Sequence, residues 1–174
     1  MTGRSVDLVS LELREEPYDG PAAQQLIAEV QAEYVVRYGS PDATPVDASE
    51  FLPPDGRFVI GYIDTEPAAM GGLRRFDDEA VEVKRMYVRP GFRGQGLSRL
   101  VLAHLETLAT EMGARRVVLE TGSRQPEAMR LYETSGYERV DPFGHYRCAP
   151  ESAHFGKTVH SDVPSIPTRA IPTQ

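Results

Sequence analysis

Hydrophobic residues along this chain switch repeatedly between a two-residue and a three-to-four-residue spacing, and the switches mark out its elements. Val6, Leu8, Leu11 and Leu13 alternate imperfectly with polar residues until Glu15-Glu16-Pro17 breaks the run, which predicts a first strand. From Pro21 to Tyr38, Leu26 or Ile27, Val30, Tyr34 and Tyr38 recur at helical spacing, with Asp19 and Gly20 as start signals and Gly39 as the stop. Residues 40–56 hold Pro41, Pro45, Pro53 and Pro54 among small and acidic residues, a loop of the length that often forms a lid or binding loop. Residues 57–62 and 68–76 read as the two strands of a hairpin, joined by Asp64-Thr65-Glu66-Pro67.

Ala80 to Val88 is a β-rich run that Arg89-Pro90-Gly91 ends. Leu97, Leu100, Val101, Leu105, Leu108 and Met112 then recur at helical intervals up to Gly113, which suits a left-handed C-terminal cap. Residues 116–121 are almost continuously apolar, as in a strand buried on both faces at the centre of a sheet. Pro126 fits a first helical position, Ala128, Leu131 and Tyr132 form a stripe, and Gly136 ends that short helix. Strands follow over 137–140 and 153–159, and the tail 161–174, with Pro164, Pro167 and Pro172, has no apolar period and reads as flexible. The order β-α-β-β-β-α-β-α-β-β predicts an α/β (α+β) fold, a mixed sheet with helices on its faces, in one domain over 1–160.

Composition narrows the chemistry. A chain of 174 residues, 40% of them hydrophobic, suits one domain with a sizeable core. Its 26 acidic against 19 basic residues give a formal charge of −7, which opposes nucleic acid and favours a cationic small-molecule or peptide partner. The single cysteine, Cys148, excludes an internal disulfide, and the four histidines show no metal-ligand spacing, so no metal is expected. His145 lies near Cys148 but no fixed histidine-acid motif activates it, and the cysteine reads as inert. With neither a signal-like N-terminus nor an apolar run approaching the ~20 residues that span a bilayer, the chain reads as cytoplasmic, with no membrane partner.

The densest local signal is the passage from Met86-Tyr87-Val88 through Arg89-Pro90-Gly91-Phe92-Arg93-Gly94-Gln95-Gly96 into the helix beginning at Leu97. Glycines let backbone approach a ligand, and a helix start offers unpaired N–H groups and a positive dipole end, so an anionic phosphate suits this place. The loop spells neither Gly-x-x-x-x-Gly-Lys-Ser/Thr nor Gly-x-Gly-x-x-Gly. Taken alone it fits a plain strand-turn-helix, or a site for another phosphate ligand such as a nucleotide.

Arg93-x-x-Gly96-x-Ser98, together with Leu131-Tyr132-Glu133-x-x-Gly136-Tyr137, resembles the GCN5-related N-acetyltransferase (GNAT) superfamily over about residues 80–136. Ser98 stands where the family carries glycine or alanine, and Gln125 where many relatives carry asparagine. The resemblance implies a GNAT-type fold, with a mostly antiparallel central sheet, and an acetyl-CoA-dependent N-acetyltransferase that often pairs as a homodimer. It implies that main-chain groups of the Met86-Tyr87-Val88 strand end hold the pantetheine arm of coenzyme A. Arg93, Gly94, Gln95, Gly96, Leu97 and Ser98 then cradle its pyrophosphate, and Gln125 lies beside the cofactor.

The resemblance also offers an acid and a base for direct transfer of the acetyl group to a primary amine. Glu82, in a strand interior between Val81 and Val83, is the family look-alike for the base, or else the partner of a nearby arginine. Tyr132 matches the tyrosine near the coenzyme sulfur and is the look-alike for the acid, or else a core aromatic. Tyr34, Tyr38, Arg74, Glu120 and Thr121 are candidates for the acceptor pocket, against the alternative that the tyrosines are core and the arginine a solvated edge. A regulatory module that binds acyl-CoA without efficient catalysis would keep the same loop.

Overall fold

Three strands in succession form the centre of the molecule: β2 (Gly56–Ile63), β3 (Glu66–Arg75) and β4 (Ala80–Val88), paired antiparallel. A computed structural model describes residues 10–159, so the tail 161–174 and the first positions of the strand expected from Val6 lie outside the described residues. Around the centre stand β1 (Leu11–Glu15), α1 (Pro21–Tyr38), α2 (Leu97–Glu111), β5 (Arg116–Gly122), α3 (Pro126–Thr134), β6 (Glu138–Arg139) and β7 (Ser152–Thr158). The seven-stranded sheet runs β1-β2-β3-β4-β5-β7-β6, antiparallel throughout except for the parallel ladder of β4 with β5. That exception follows from connectivity, since α2 carries the chain back over the sheet between two strands that must then point the same way.

Strand alternation divides the core between two faces. Phe58, Ile60 and Met70 face α1, packing with Leu26, Val30 and the ring of Phe51. Val59, Ala69, Val81 and Val83 face α2, packing with Val101, Leu105 and Leu108. Val117, Val118 and Leu119 are all buried, in keeping with the apolar run of β5. No helix among the described residues is long and apolar enough to cross a membrane.

Two segments differ from the sequence expectation. The hairpin turn contracts to Asp64-Thr65, because Ile63 already pairs with Glu66 and Asp64 takes the left-handed conformation that a two-residue turn requires. Inside the long 40–56 loop, Ala48–Phe51 forms a turn of 3-10 helix. Its start is closed by a capping box: Asp47 accepts from Ser49 N–H while Glu50 accepts from Asp47 N–H. Phe51 at its end is 3% exposed and stacks on Tyr18, so the loop is nailed to the core by an aromatic side chain.

Gly56 closes that loop against β2, and a Cβ there would overlap the Glu50 carbonyl oxygen and the Phe51 Cα, both backbone atoms that no rotamer change can move. Gly56→Ala is expected to destabilise the fold by about 2–3 kcal/mol in urea titration. Gly91→Ala, which meets open space, should stay within about 0.5 kcal/mol of the parent.

Candidate active site

The β4–β5 ladder ends at Val83 opposite Leu119, yet β4 continues to Val88 and β5 to Gly122. From that point the two strands have no ladder between them, and the sheet opens into a fork. A bulge on β4 lies at the same level: Met70 pairs with Tyr87 and Gly72 with Lys84, so Arg85 and Met86 together oppose Gly71. Arg85 takes φ 60°, left-handed for a non-glycine residue, at a cost of about 1–2 kcal/mol. The bulge breaks strand alternation, and consecutive Lys84 and Arg85 thereby line one cavity.

At the far end of β4 the chain turns through Pro90–Phe92 into α2. Gly94 (φ 78°) and Gly96 (φ 79°) are left-handed with nothing near the place of a Cβ, so the loop backbone is bare to a ligand. Gly96 is the N-cap of α2, no side chain caps the helix start, and no acidic residue lies in its first turn. The first-turn N–H groups are therefore available to an anion, with the helix dipole favouring it.

Two adjoining cavities occupy this region. One, of about 260 Å³, is lined by Tyr34, Met86, Tyr87, Val88, Arg93, Gly94, Gly96, Leu97, Ser98, Gln125 and Tyr132 among the expected site residues. The other, of about 290 Å³, lies at the fork and is lined by Tyr34, Tyr38, Met86, Glu120, Thr121, Gln125 and Tyr132. Tyr34, Met86, Gln125, Ala128 and Tyr132 belong to both walls and mark where the cavities meet. Gln95 lines neither cavity and is exposed. Glu82 and Arg74 also stand outside both: Arg74 Nε donates to Glu82 Oε2 at 2.9 Å, and its Nη1 reaches Glu50 and the Pro45 carbonyl. Arg93 lines the loop cavity, but its guanidinium is bound at 2.6 Å to Glu33 and at 2.8 Å to the Val88 carbonyl.

The electrostatics of the fork sort its ionisable groups. Burial pushes the Asp42 carboxyl up, but the charge of Lys84, the Thr44 hydroxyl and amide, and Arg85 outweigh burial and hold it at about 2. Asp42 also accepts from the Tyr146 hydroxyl at 2.9 Å and from Arg85 Nη1. Glu120 moves the other way: burial raises its carboxyl, only partly opposed by the Ser152 hydroxyl that donates to it at 2.7 Å and by the charge of Lys84. Burial also raises the Tyr132 hydroxyl, which makes no hydrogen bond among the described residues. The Tyr132 ring is fixed against Tyr137 and Phe155, with centroids 5.8 and 5.9 Å away. Among the described residues no group of three or more His, Cys, Asp or Glu is placed to hold a metal ion.

The sequence profile of the acetyltransferase (GNAT) family matches residues 23–137, which takes in the fork, the glycine loop and Tyr132. The chain belongs to that family. IAA acetyltransferase of Azospirillum brasilense is 32% identical over 146 residues, covering 83% of this chain and 94% of that protein. The crystal structure of a candidate acyl-CoA N-acyltransferase from Klebsiella pneumoniae superposes with TM-score 0.77 at 25% identity, covering 87% of this chain and 99% of that one. A GNAT family acetyltransferase from Elizabethkingia anophelis, solved with acetyl-CoA bound, shares the fold at TM-score 0.61 and 16% identity, over 85% of this chain and 97% of that one.

In this GNAT acetyltransferase the sequence reading did not single out Asp42, Lys84, Arg85, Tyr146 or Ser152 as site residues. The adjacent cations Lys84-Arg85, in a strand whose one other charged residue is Glu82, were a visible signal, because alternation cannot point both at solvent. Asp42 and Tyr146 lie 104 positions apart, on segments with no periodic signal, and only the folded chain joins them.

Asp42→Asn is expected to lower stability by about 2 kcal/mol at neutral pH, measured by urea unfolding. The folded pKa of Asp42 lies below its unfolded value of about 3.9, so this contribution is complete above that value and is lost as pH falls toward about 2. The gap between parent and variant should close over that acid window.

Proposed function

We propose that this acetyltransferase transfers the acetyl group of acetyl-CoA directly to the primary amine of a small molecule or peptide, both substrates bound together at the fork. The observation that carries this reading is the meeting of the two cavities at Tyr132: one runs to a bare glycine loop and an uncapped helix start, the other to ionisable groups. The first-turn N–H groups from Leu97 and Ser98 would receive the pyrophosphate, and Gly94 and Gly96 give it room. The E. anophelis relative solved with acetyl-CoA supports the identity of the donor.

Acetyl-CoA supplies an electrophilic thioester carbon and a thiol leaving group. Tyr132 stays protonated because burial raises its hydroxyl, so it holds a proton to give, and its place in both cavity walls suits donation to the departing sulfur. We assign the base to Glu120. Its carboxyl is raised by burial toward a useful range, it lines the acceptor cavity, and no cation forms an ion pair with it among the described residues. Glu82, the family look-alike for that role, is the second candidate. Its carboxylate is engaged by Arg74 at 2.9 Å and faces Lys84 at 3.7 Å, which fits holding those cations in place.

Tyr132→Phe should reduce kcat about 10²-fold while leaving the acetyl-CoA Kd within about twofold, by thiol-release kinetics and calorimetry. Equal turnover would remove the assigned role, and donor binding without transfer to any amine would favour a regulatory acyl-CoA-binding module.

A proton-accepting Glu120 must be ionised, so kcat/KM should decline as pH falls through its raised pKa, at higher pH than for a solvated glutamate. Glu120→Gln should abolish that acid limb and lower kcat/KM about 10²-fold. A limb that survives in Glu120→Gln and disappears in Glu82→Gln would transfer the role to Glu82.

A further inference from the structure

The Lys84 side chain is 7% exposed, and its ammonium has no hydrogen-bond acceptor within reach among the described residues. Its ion-pair partner, Glu82 Oε1, stands 3.7 Å away, beyond hydrogen-bond distance, and the other oxygen of that carboxylate is taken by Arg74. An ammonium carries three N–H donors, and leaving them unmet in a protein interior is costly. Lys84 nevertheless lines the 290 Å³ cavity, and its nitrogen is not sealed away from it. The bulge that turns Lys84 and Arg85 to the same cavity is itself strained.

The other charges facing this space are already matched. Arg85 is bound by Asp42, Asp42 by Arg85, Thr44 and Tyr146, and Glu151 by Arg124 at 2.6 Å. Two groups remain with spare capacity, Lys84 and Glu120. They occupy the first positions past the last rung of the parallel ladder, Val83 with Leu119, one on each prong of the fork. They form no ion pair with each other among the described residues, so although the Lys84 charge is felt at Glu120, an ammonium and a carboxylate line the same cavity without direct contact.

Resting on the acetyl-transfer reading above, we infer that the acceptor is a small zwitterion of the amino-acid type, whose amine is presented at Glu120 and whose carboxylate is received by Lys84. A carboxylate would supply the acceptors that the Lys84 ammonium lacks, and the aromatic walls Tyr34, Tyr38 and Tyr146 leave an amphipathic space for the rest of the molecule. A simple amine would bring no anionic acceptor to Lys84, and an anion without an amine would leave nothing to acetylate.

The test compares matched acceptors in the full-length protein: phenylalanine, phenylalaninamide and phenethylamine, and methionine with methioninamide, with rates referred to the unprotonated amine. The wild-type enzyme should favour the free acids by about tenfold or more in kcat/KM, the size of one charge-assisted hydrogen bond. Lys84→Gln should bring the acid-to-amide ratio toward one by raising KM for the acids rather than lowering kcat, and Lys84→Arg should keep part of the preference. Wild-type turnover of amides and simple amines equal to that of the acids would overturn the inference while leaving acetyl transfer intact, even if Lys84→Gln fails to fold. An unchanged ratio in a folded Lys84→Gln would do the same. No transfer to any member, with thiol release to other amines retained, would overturn this inference alone, whereas acetyl-CoA binding in calorimetry without transfer to any amine would remove the acetyl-transfer reading as well.

Discussion

Everything at this site depends on where the β4–β5 ladder stops. Parallel pairing holds the strands together through Val83 and Leu119, and past that rung they part. Had the ladder continued, the main chain of β4 toward Val88 would be covered by β5, and Lys84 and Glu120 would be side chains on a closed sheet. The parting makes one opening with the glycine loop at one end and ionisable groups at the other.

The fork is held open from both sides by contacts unrelated to the ladder. On the α1 side, Arg89 binds Glu29 at 2.9 Å, and Arg93 binds Glu33 at 2.6 Å, tying the loop after β4 to the helix over it. On the other side, β5 is zipped to β7 along its length from Arg116 to Gly122, which keeps it in the sheet after it departs from β4. The 40–56 loop closes the far end of the fork cavity: Asp42 joins it to β4 through Arg85 and to the segment before β7 through Tyr146. Phe51 and Gly56 anchor the loop to the core, so the charges at the fork are set by a well-packed framework.

The bulge at Arg85 couples the fold to recognition. It places two cations where alternation allows one, and the two have different fates. Arg85, with its planar donor fork, is consumed by Asp42 in the framework, while Lys84 keeps its donors. Glu82 and Glu120 divide in the same way. Glu82 is tied to Arg74 in the sheet, whereas Glu120 stands past the last rung with a hydroxyl as its partner.

The elements and their order were legible in the chain itself, because a period of two or near four is a local property and Pro, Gly and apolar spacing mark its limits. The ranges predicted for α1 and β4 are those observed. The bare glycine loop before α2 was legible for a related reason, since a helix start is built from one contiguous stretch, whereas Tyr132, on α3, stood out only through the resemblance of Leu131-Tyr132. The charged end of the fork was not. Whether Glu82 or Glu120 faces the cavity depends on the rung at which a parallel ladder ends, and whether Lys84 is free depends on a bulge opposite Gly71. Those are pairings between strands distant in sequence, and the partners that leave a charge satisfied or unmet are chosen only when the sheet closes.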